Sequence, residues 1–475
     1  MKVIFKACIY CTLVPMYDFG ARVFSNSWGD SQTAPGDVSG TYDYRGASAD
    51  QFMIDNLDAL VLFAAGNSGD PLQTPQSPSA MYSVNSPASF KNGIAVGAGL
   101  NDHQSWLSYT FGSADDSFSP NALAKFSSRG PTRDGRIKPE IVAPGSSLLT
   151  PLHSLLHSEA FLYGLGFWVT SAKGIPNSEY HTGVVGKAGT SMATPAVAAT
   201  AAVVREYFME GYYSSAGGNN SASAFTPSGA LLKAMIISSG TEMQTIFSTY
   251  DGGTTYFQVP LVGYPSNDQG YGRVQMNNVM NFGIASNDPL SLFVVGDVNP
   301  AGSLYRQLNN VDDFNVFTFR VPTDQSVRIT LSYTDYVSTS SSSSIMVNEL
   351  FIAVTSDGIS FTPSSQPSAN TFQVIDFSAA ADVLYYVNVT SSSNSFVFPQ
   401  PYSLVMVASL GVKKLPATTM SQALEQSTLN LASVPFIPAI IGMTVVSFFI
   451  LLTIITILVA NRWPGKTGFF RVIRW

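Results

Sequence analysis

Short apolar runs alternate with longer helical patterns through the first half of the chain. Residues 61–65 and 94–98 are continuously apolar, which predicts strands buried inside a sheet. Residues 51–60 and 228–239 have the spacing of helices, and Gly240 provides a stop for the second. Strands that alternate with helices indicate the α/β class, with a parallel sheet covered by helices on both faces.

The pattern changes to a period of two after Asp288. Residues 314–321 alternate between apolar and polar side chains, and similar runs follow at 327–333, 384–390 and 403–408. Such short alternating runs are typical of antiparallel strands with one buried face. They predict a β-sandwich, a jelly roll or a barrel in the second half of the chain.

One segment near the C-terminus is long and uncharged. Residues 437–460 contain no Asp, Glu, Lys or Arg. A helix of this length, at ~1.5 Å per residue, spans about 36 Å and crosses a ~30 Å hydrocarbon core. Four basic residues follow it, Arg462, Lys466, Arg471 and Arg474. By the positive-inside rule, we expect a single-pass type I membrane protein with a lumenal or extracellular ectodomain; a buried core helix is the alternative.

These patterns divide the chain into five predicted parts. An α/β domain occupies 1–287 and a β-sandwich or barrel 288–410. A polar stalk at 411–436 leads to the transmembrane helix at 437–460, and 461–475 form a basic cytosolic tail. The length of 475 residues agrees with about three globular units at ~150 residues per domain.

Composition narrows the function classes. Charged residues make up 12% of the chain and the net charge is −7, which argues against a nucleic-acid-binding surface. Cys8 and Cys11 are the two cysteines and form a C-x-x-C pair. Because neither a second pair nor a redox βαβ context accompanies them, we interpret this pair as incidental.

Residues 188–198 read Ala-Gly-Thr-Ser-Met-Ala-Thr-Pro-Ala-Val-Ala and combine a tight turn with the start of a helix. Pro195 is tolerated in a first turn, so the helix is predicted to begin near Ser191 and to run through Val204. At a helix N-terminus, Ser191 would lie where the dipole favours negative charge. A serine that merely caps the helix is the alternative interpretation.

This undecapeptide resembles the nucleophile motif of the subtilisin-like serine proteases. Further segments resemble other blocks of that family in the same order, namely 22–29, 61–69, 94–98, 126–131 and 138–145. Residues 263–274 and 347–350 are similar to a branch with a C-terminal β-barrel, the oxidatively stable alkaline proteases. The resemblance implies an incomplete subtilisin-like sheet followed by that β-domain.

The resemblance also implies roles for individual residues. Ser191 would attack a peptide carbonyl, and the Asn67 side-chain amide would hold the oxyanion together with the Ser191 backbone N–H. A peptide or protein substrate would pair as an added strand. The residues expected to bind it are Ser27, Trp28, Gly29 and Gly66. Packing in the core is an equally good interpretation of Trp28.

Two members of the family's triad have no counterpart in the sequence. The catalytic Asp and His precede the substrate-binding strand in the family, and the matching strand here begins close to Met1. None of the four histidines stands in the family's His-Gly-Thr context; they are His103, His153, His157 and His181. We therefore expect a membrane-anchored fragment of a serine endopeptidase, with a catalytically silent peptide-binding or surface module as the alternative.

The resemblance requires no cofactor, although subtilisin-like proteases commonly hold structural calcium. Asn267 with Asp268, or Asp312 with Asp313, could supply oxygen ligands for it. Acidic pairs in turns are more often only solvated, so no metal-binding residue is assigned.

Overall fold

The computed structural model describes the chain in several ranges, and the statements below concern these residues. They are 8–30, 40–69, 81–101, 120–146, 167–170, 184–214, 220–250, 255–280, 290–298, 306–338, 345–364, 369–392, 395 and 397–408. One compact unit spans Met1–Lys413, and the second unit, Lys414–Trp475, lies outside the described residues.

A mixed sheet of seven strands occupies the first part of this unit. The strands of this sheet are β1 (Val23–Asn26), β2 (Leu60–Ala64), β3 (Ile94–Leu100), β4 (Ala122–Ala124), β5 (Ile141–Ser146), β8 (Thr245–Tyr250) and β9 (Thr255–Pro260). Strands β6 (Phe167–Thr170) and β7 (Val184–Lys187) form a separate antiparallel pair. The order is β1-β2-β3-β4-β8-β9, with β5 also paired to β3. Strands β1, β2, β3 and β5 are parallel, whereas β4 on β3 and β9 on β8 are antiparallel.

Four helices accompany the sheet in the described residues. They are α1 (Ile9–Asp18), α2 (Tyr44–Asp55), α3 (Thr190–Met209) and α4 (Gly229–Ser238). Helix α3 contacts β1, β2, β3 and β5, and α4 contacts β2. All ten residues of α4 are buried, and its first turn is capped by Ser228 Oγ, which accepts from Leu231 N at 3.0 Å.

Two antiparallel sheets form the second part of the unit. Their strands are β10 (Ser291–Val295), β11 (Gln307–Leu308), β12 (Phe314–Phe319), β13 (Gln325–Tyr333), β14 (Leu350–Thr355), β15 (Thr362–Pro363), β16 (Phe372–Ala379), β17 (Tyr385–Ser391) and β18 (Gln400–Ala408). One sheet has the order β10-β18-β13-β16 with β11 on β18, and the other β12-β17-β14-β15. Apolar side chains from both sheets share one buried cluster, so the two sheets pack as a sandwich.

Strand β18 joins this sandwich to the α/β part. Leu404 and Met406 belong to the cluster between the two sandwich sheets, whereas Val405 and Val407 belong to the cluster that contains α4 and β2. Successive side chains of a strand point to opposite faces, so β18 is buried on both. One face of this sandwich sheet therefore shares an apolar cluster with the α/β part, and its other face belongs to the core between the two sandwich sheets.

A buried ion pair crosses the same boundary. Lys91 precedes β3 and Asp335 follows β13, and their side chains are both 0% exposed with Nζ and Oδ2 2.5 Å apart. Asp335 also accepts from the backbone N–H groups of Val347 (2.9 Å) and Asn348 (2.8 Å). The side chain of Asn92 donates to the Asp335 carbonyl and accepts from its N–H, which completes this polar link.

The structure confirms several predicted elements and corrects one helix. The strands predicted at 61–65 and 94–98 are β2 and β3, and the helix predicted at 228–239 is α4. The helix predicted at 51–60 is wrong in its bounds, since α2 ends at Asp55. Asp43 starts α2 early by accepting from the N–H groups of Arg45 and Gly46, and the chain enters β2 at Leu60.

The predicted transmembrane helix and the single-pass membrane location that depends on it are corrected as well. No helix in the described ranges is both long and apolar enough to cross a bilayer. Helix α3 has 20 residues but carries Arg205 and Glu206 and buries one side in the protein core. Residues 437–460, with the stalk at 411–436 and the tail at 461–475, lie outside the described residues. The architecture that the structure supports is a mixed α/β fold with several sheets.

Candidate functional site

Ser191 lies in the first turn of α3, at the end of the helix that faces the chain leaving β1. Gly189 precedes the helix with a φ of 147°, a conformation that favours glycine. Ser191 is partly exposed, and its Oγ donates to the Ser27 carbonyl at 3.4 Å. Ser27 Oγ in turn donates to the Ser191 carbonyl at 2.9 Å. These two hydrogen bonds tie the start of α3 to the end of β1.

Asn67 follows β2 and is exposed, but its side chain has a fixed orientation. Its Oδ1 accepts from Thr190 N at 2.9 Å and from Thr190 Oγ1 at 3.0 Å. A backbone N–H can only donate, so the atom facing Thr190 is the oxygen and the amide nitrogen points away from it. Among the hydrogen bonds between described residues, none uses Asn67 Nδ2 as donor. Within the described part of the chain, the amide nitrogen therefore has no competing acceptor.

Thr190 is buried and connects three parts of the site. Besides its contacts with Asn67, its Oγ1 accepts from Gly66 N at 3.2 Å. Sequence reasoning assigned no role to Thr190, although it directly precedes Ser191. Its contacts reach residues more than 120 positions away in the chain, which a local pattern does not reveal.

The turn after β2 requires glycine at position 66. Gly66 has a φ of 108°, and a Cβ built there would lie 2.8 Å from Ser128 Oγ. Ser128 holds this turn, because its N–H donates to the Gly66 carbonyl at 3.0 Å and its Oγ accepts from Ser68 N at 3.0 Å. Ser128 was also missed as a site residue, although it lies in one of the segments that resemble the family.

Trp28 and Gly29 continue the chain from Ser27. Trp28 is 46% exposed, and its ring packs edge-on against Phe63 with 5.5 Å between ring centroids. The ring thus packs partly on the core, and its expected role in substrate binding stays a prediction. A Cβ at Gly29 would lie 3.4 Å from the Ser86 carbonyl, so the backbone passes close to that loop.

Strand β1 stands at the end of the seven-stranded sheet. Among the described strands it pairs with β2 only, so its other edge carries no described strand. An edge strand can pair through its backbone groups with an extended chain. The edge leads directly to Ser27, which contacts Ser191.

The four histidines contribute nothing to this geometry, because His103, His153, His157 and His181 lie outside the described residues. The residues considered for calcium have other partners. Asp268 forms an ion pair with Arg129, and Asp313 accepts from the backbone and side chain of Asn309. The described part of the chain contains no group of three or more His, Cys, Asp or Glu residues suited to a metal ion. Calcium binding stays a prediction.

Comparisons with known proteins identify the family of this chain. A family model described as the subtilase family matches residues 6–272, more than half of the chain. The chain is 29% identical over 324 residues to the Serine protease/ABC transporter B family protein tagB of Dictyostelium discoideum, covering 56% of this chain and 16% of that protein. It is 36% identical over 145 residues to Serine protease AprX of Bacillus subtilis (strain 168), covering 30% of this chain and 25% of that protein.

The matched region thus spans a quarter or less of the length of these relatives. Among solved structures, the pre-peptidase C-terminal domain of a collagenase from Bacillus anthracis aligns with 25% of this chain and 85% of its own. The identity is 11% and the TM-score 0.16, which is too low to support an argument about the fold.

Proposed function

The chain belongs to the subtilase family, and we propose that it is a serine-type peptidase that acts through an acyl-enzyme on Ser191. The observation that supports this most is the orientation of Asn67. Its Oδ1 accepts from Thr190, the residue next to Ser191, so its amide N–H groups do not face Thr190 and would donate to a ligand. A donor fixed in this way is what a developing oxyanion requires.

The proposed chemistry begins with attack of Ser191 Oγ on the carbonyl carbon of a peptide bond. The carbonyl oxygen becomes an oxyanion, which accepts from Asn67 Nδ2 and from the Ser191 backbone N–H at the start of α3. Collapse of the tetrahedral intermediate expels the amine and leaves an ester on Ser191, which water then hydrolyses. The serine proton requires a general base, the role that a histidine fills in this family.

The substrate is proposed to be a polypeptide in extended conformation. The edge of β1 that pairs with no described strand would offer backbone donors and acceptors, and the chain after β1 passes Ser191 at Ser27. A peptide added to this edge would be held by main-chain hydrogen bonds and carried past the nucleophile. Trp28, half exposed beside this path, would restrict the size of the neighbouring side-chain pocket.

A peptide boronic acid tests the proposal, because its boron forms a tetrahedral adduct with a serine oxygen and does not need a completed catalytic cycle. We expect the 475-residue chain to form a covalent, reversible adduct at Ser191, detected by ¹¹B NMR and native mass spectrometry. Asn67→Leu should weaken adduct formation by about 10²–10³-fold, because the tetrahedral boronate resembles the transition state and removal of an oxyanion donor lowers kcat by this factor in a subtilisin, a relative of this chain.

Two matched variants act as controls. Ser326→Ala removes an exposed serine from β13, and Asn277→Ala removes an exposed asparagine, so neither should change the affinity. Adduct formation that persists in Ser191→Ala would overturn the assignment of the nucleophile. Equal noncovalent binding of the peptide by the wild type and Ser191→Ala, without an adduct in either, would instead favour the silent peptide-binding module.

A further inference from the structure

We propose that Cys8 and Cys11 form a reversible, redox-active disulfide at the start of α1, a site of thiol–disulfide exchange with small thiols such as glutathione. The two sulfurs are joined in the structure, and both residues are exposed. No other cysteine occurs in the chain, so the pair has no competing partner. The interpretation of this pair as incidental is therefore replaced.

The position of the pair favours a thiolate on Cys8. Cys8 is the residue before the first turn of α1, and its Sγ accepts from Cys11 N at 3.2 Å. The first turn of this ten-residue helix contains no acidic residue. A backbone N–H and the positive end of the helix dipole both stabilise a negatively charged sulfur. Cys8 is thus the better leaving sulfur when the disulfide is attacked.

The disulfide contributes little to holding the fold. Three positions separate the two cysteines, so the closed ring is small and removes little entropy from the unfolded chain. Helix α1 has its own anchors, because Ile9 and Leu13 are buried and Tyr10 donates from its hydroxyl to Asp55 Oδ2 at 2.8 Å.

Hydrogen bonds of the first turn also survive reduction. Thr12 N donates to the Cys8 carbonyl at 3.1 Å, and this contact uses no sulfur. Cys8 Sγ remains an acceptor for Cys11 N as a thiol or a thiolate. Reduction can therefore proceed in the folded protein.

The exchange consists of two balanced steps. A glutathione thiolate attacks the Cys11 sulfur, the protein S–S bond breaks, and its electron pair leaves on the Cys8 sulfur. A second glutathione thiolate attacks the glutathione sulfur of the mixed disulfide, which releases glutathione disulfide and the Cys11 thiolate. Two glutathione molecules are oxidised and one protein disulfide is reduced, and the two protons of the glutathione thiols are transferred to the cysteine sulfurs.

The test equilibrates the full chain at a series of ratios of reduced to oxidised glutathione and traps free thiols with a maleimide of high mass. We expect a single transition from no free thiols to two within the range of these ratios, the same in both directions. Circular dichroism and tryptophan fluorescence should not change across it. In Cys8→Ser and Cys11→Ser, the remaining cysteine should instead carry glutathione at oxidising ratios.

Several results would overturn the proposal. The thiols could stay blocked at the most reducing ratio or stay free at the most oxidising one. Wild-type protein that ends as a glutathione adduct would also contradict it, because the internal disulfide should outcompete a second molecule of glutathione. Loss of the folded signal in step with reduction would show a structural staple. The wild-type titration alone decides these outcomes and does not depend on the folding of the variants.

Discussion

Replacing Asp335 by alanine is expected to destabilise the protein severely. Asp335 is fully buried at the boundary between the α/β part and the sandwich, where it pairs with the Lys91 ammonium group. The substitution removes the carboxylate but leaves the Lys91 ammonium group buried. It also removes the acceptor of the Val347 and Asn348 N–H groups.

The expected loss in the free energy of unfolding follows from these contacts. Breaking a buried ion pair by removing one partner costs about 3–5 kcal/mol, because an uncompensated charge remains. Each buried N–H left without an acceptor costs about 1–3 kcal/mol more, although rearrangement and water entry prevent simple addition. Carbonyl groups of Tyr336 and Ile345 still accept from Lys91 and limit the loss. We therefore expect about 4 kcal/mol, within the range for a broken buried pair.

Urea-induced unfolding followed by tryptophan fluorescence measures this loss. A double variant, Lys91→Met with Asp335→Leu, removes both charges and should recover most of the stability, since apolar pairs often replace buried ion pairs without cost. Asp30→Ala is the matched surface control. Asp30 pairs with Arg45 but is 52% exposed, so its loss should cost less than about 1 kcal/mol.

A loss below about 1 kcal/mol in Asp335→Ala would refute the reasoning, because it would place the pair in the same class as a surface ion pair. So would a double variant that is less stable than Asp335→Ala. That result would mean that Lys91 still stabilises the fold without Asp335, through the carbonyl groups of Tyr336 and Ile345.

Three further predictions concern other parts of the chain. Burial lowers the pKa of Lys233 to about 7 from 10.5, so the unfolded chain binds more protons between these pH values. The Lys233 contribution to stability should thus be lost as pH falls through this window, by up to about 1.4 kcal/mol per pH unit. The free energy of unfolding of Lys233→Met, measured by urea titration at several pH values, should therefore depend less on pH than that of the wild type. Thr190→Val removes the hydroxyl between Gly66 and Asn67 and should weaken boronate adduct formation about tenfold, whereas Thr190→Ser should not; equal affinities would contradict this. Because no histidine stands in the family's context, Ser191 in the 475-residue chain should react only slowly with fluorophosphonates; rapid stoichiometric labelling seen by mass spectrometry would show that another base serves it.

The sequence predicted the elements whose signals are local. Strands β2 and β3 are buried along their whole length, and continuous apolar runs indicate such strands directly. Helix α4 agrees to within one residue at each end with the helix predicted at 228–239, because Ser228 caps its first turn and Gly240 follows its end. Helix α2 was misplaced because the periodicity over 51–60 continues into a strand, while its real start depends on the Asp43 side chain.

The same distinction applies to the residues of the candidate site, because some have a local sequence signal and others do not. The motif around Ser191 and the turn containing Asn67 are local, and both were found from the sequence. The role of Thr190 and that of Ser128 depend on contacts across 123 and 60 positions of the chain. The packing of α3 against the strand ends brings Thr190 to Asn67, and the chain between β4 and β5 brings Ser128 to the turn after β2. Neither contact has a local sequence signal.

The candidate site and the buried ion pair of Lys91 and Asp335 lie at opposite edges of the seven-stranded sheet. Strands β1, β2 and β3 are parallel, so their C-terminal ends lie at one edge of the sheet. Ser27 and Asn67 follow β1 and β2 and lie at that edge, whereas Lys91 precedes β3 and lies at the opposite one. Stability and site geometry should therefore respond to different substitutions. Under conditions in which Asp335→Ala remains folded, its affinity for the peptide boronic acid should equal that of the wild type, because none of the contacts of Asn67 or Ser191 passes through Asp335.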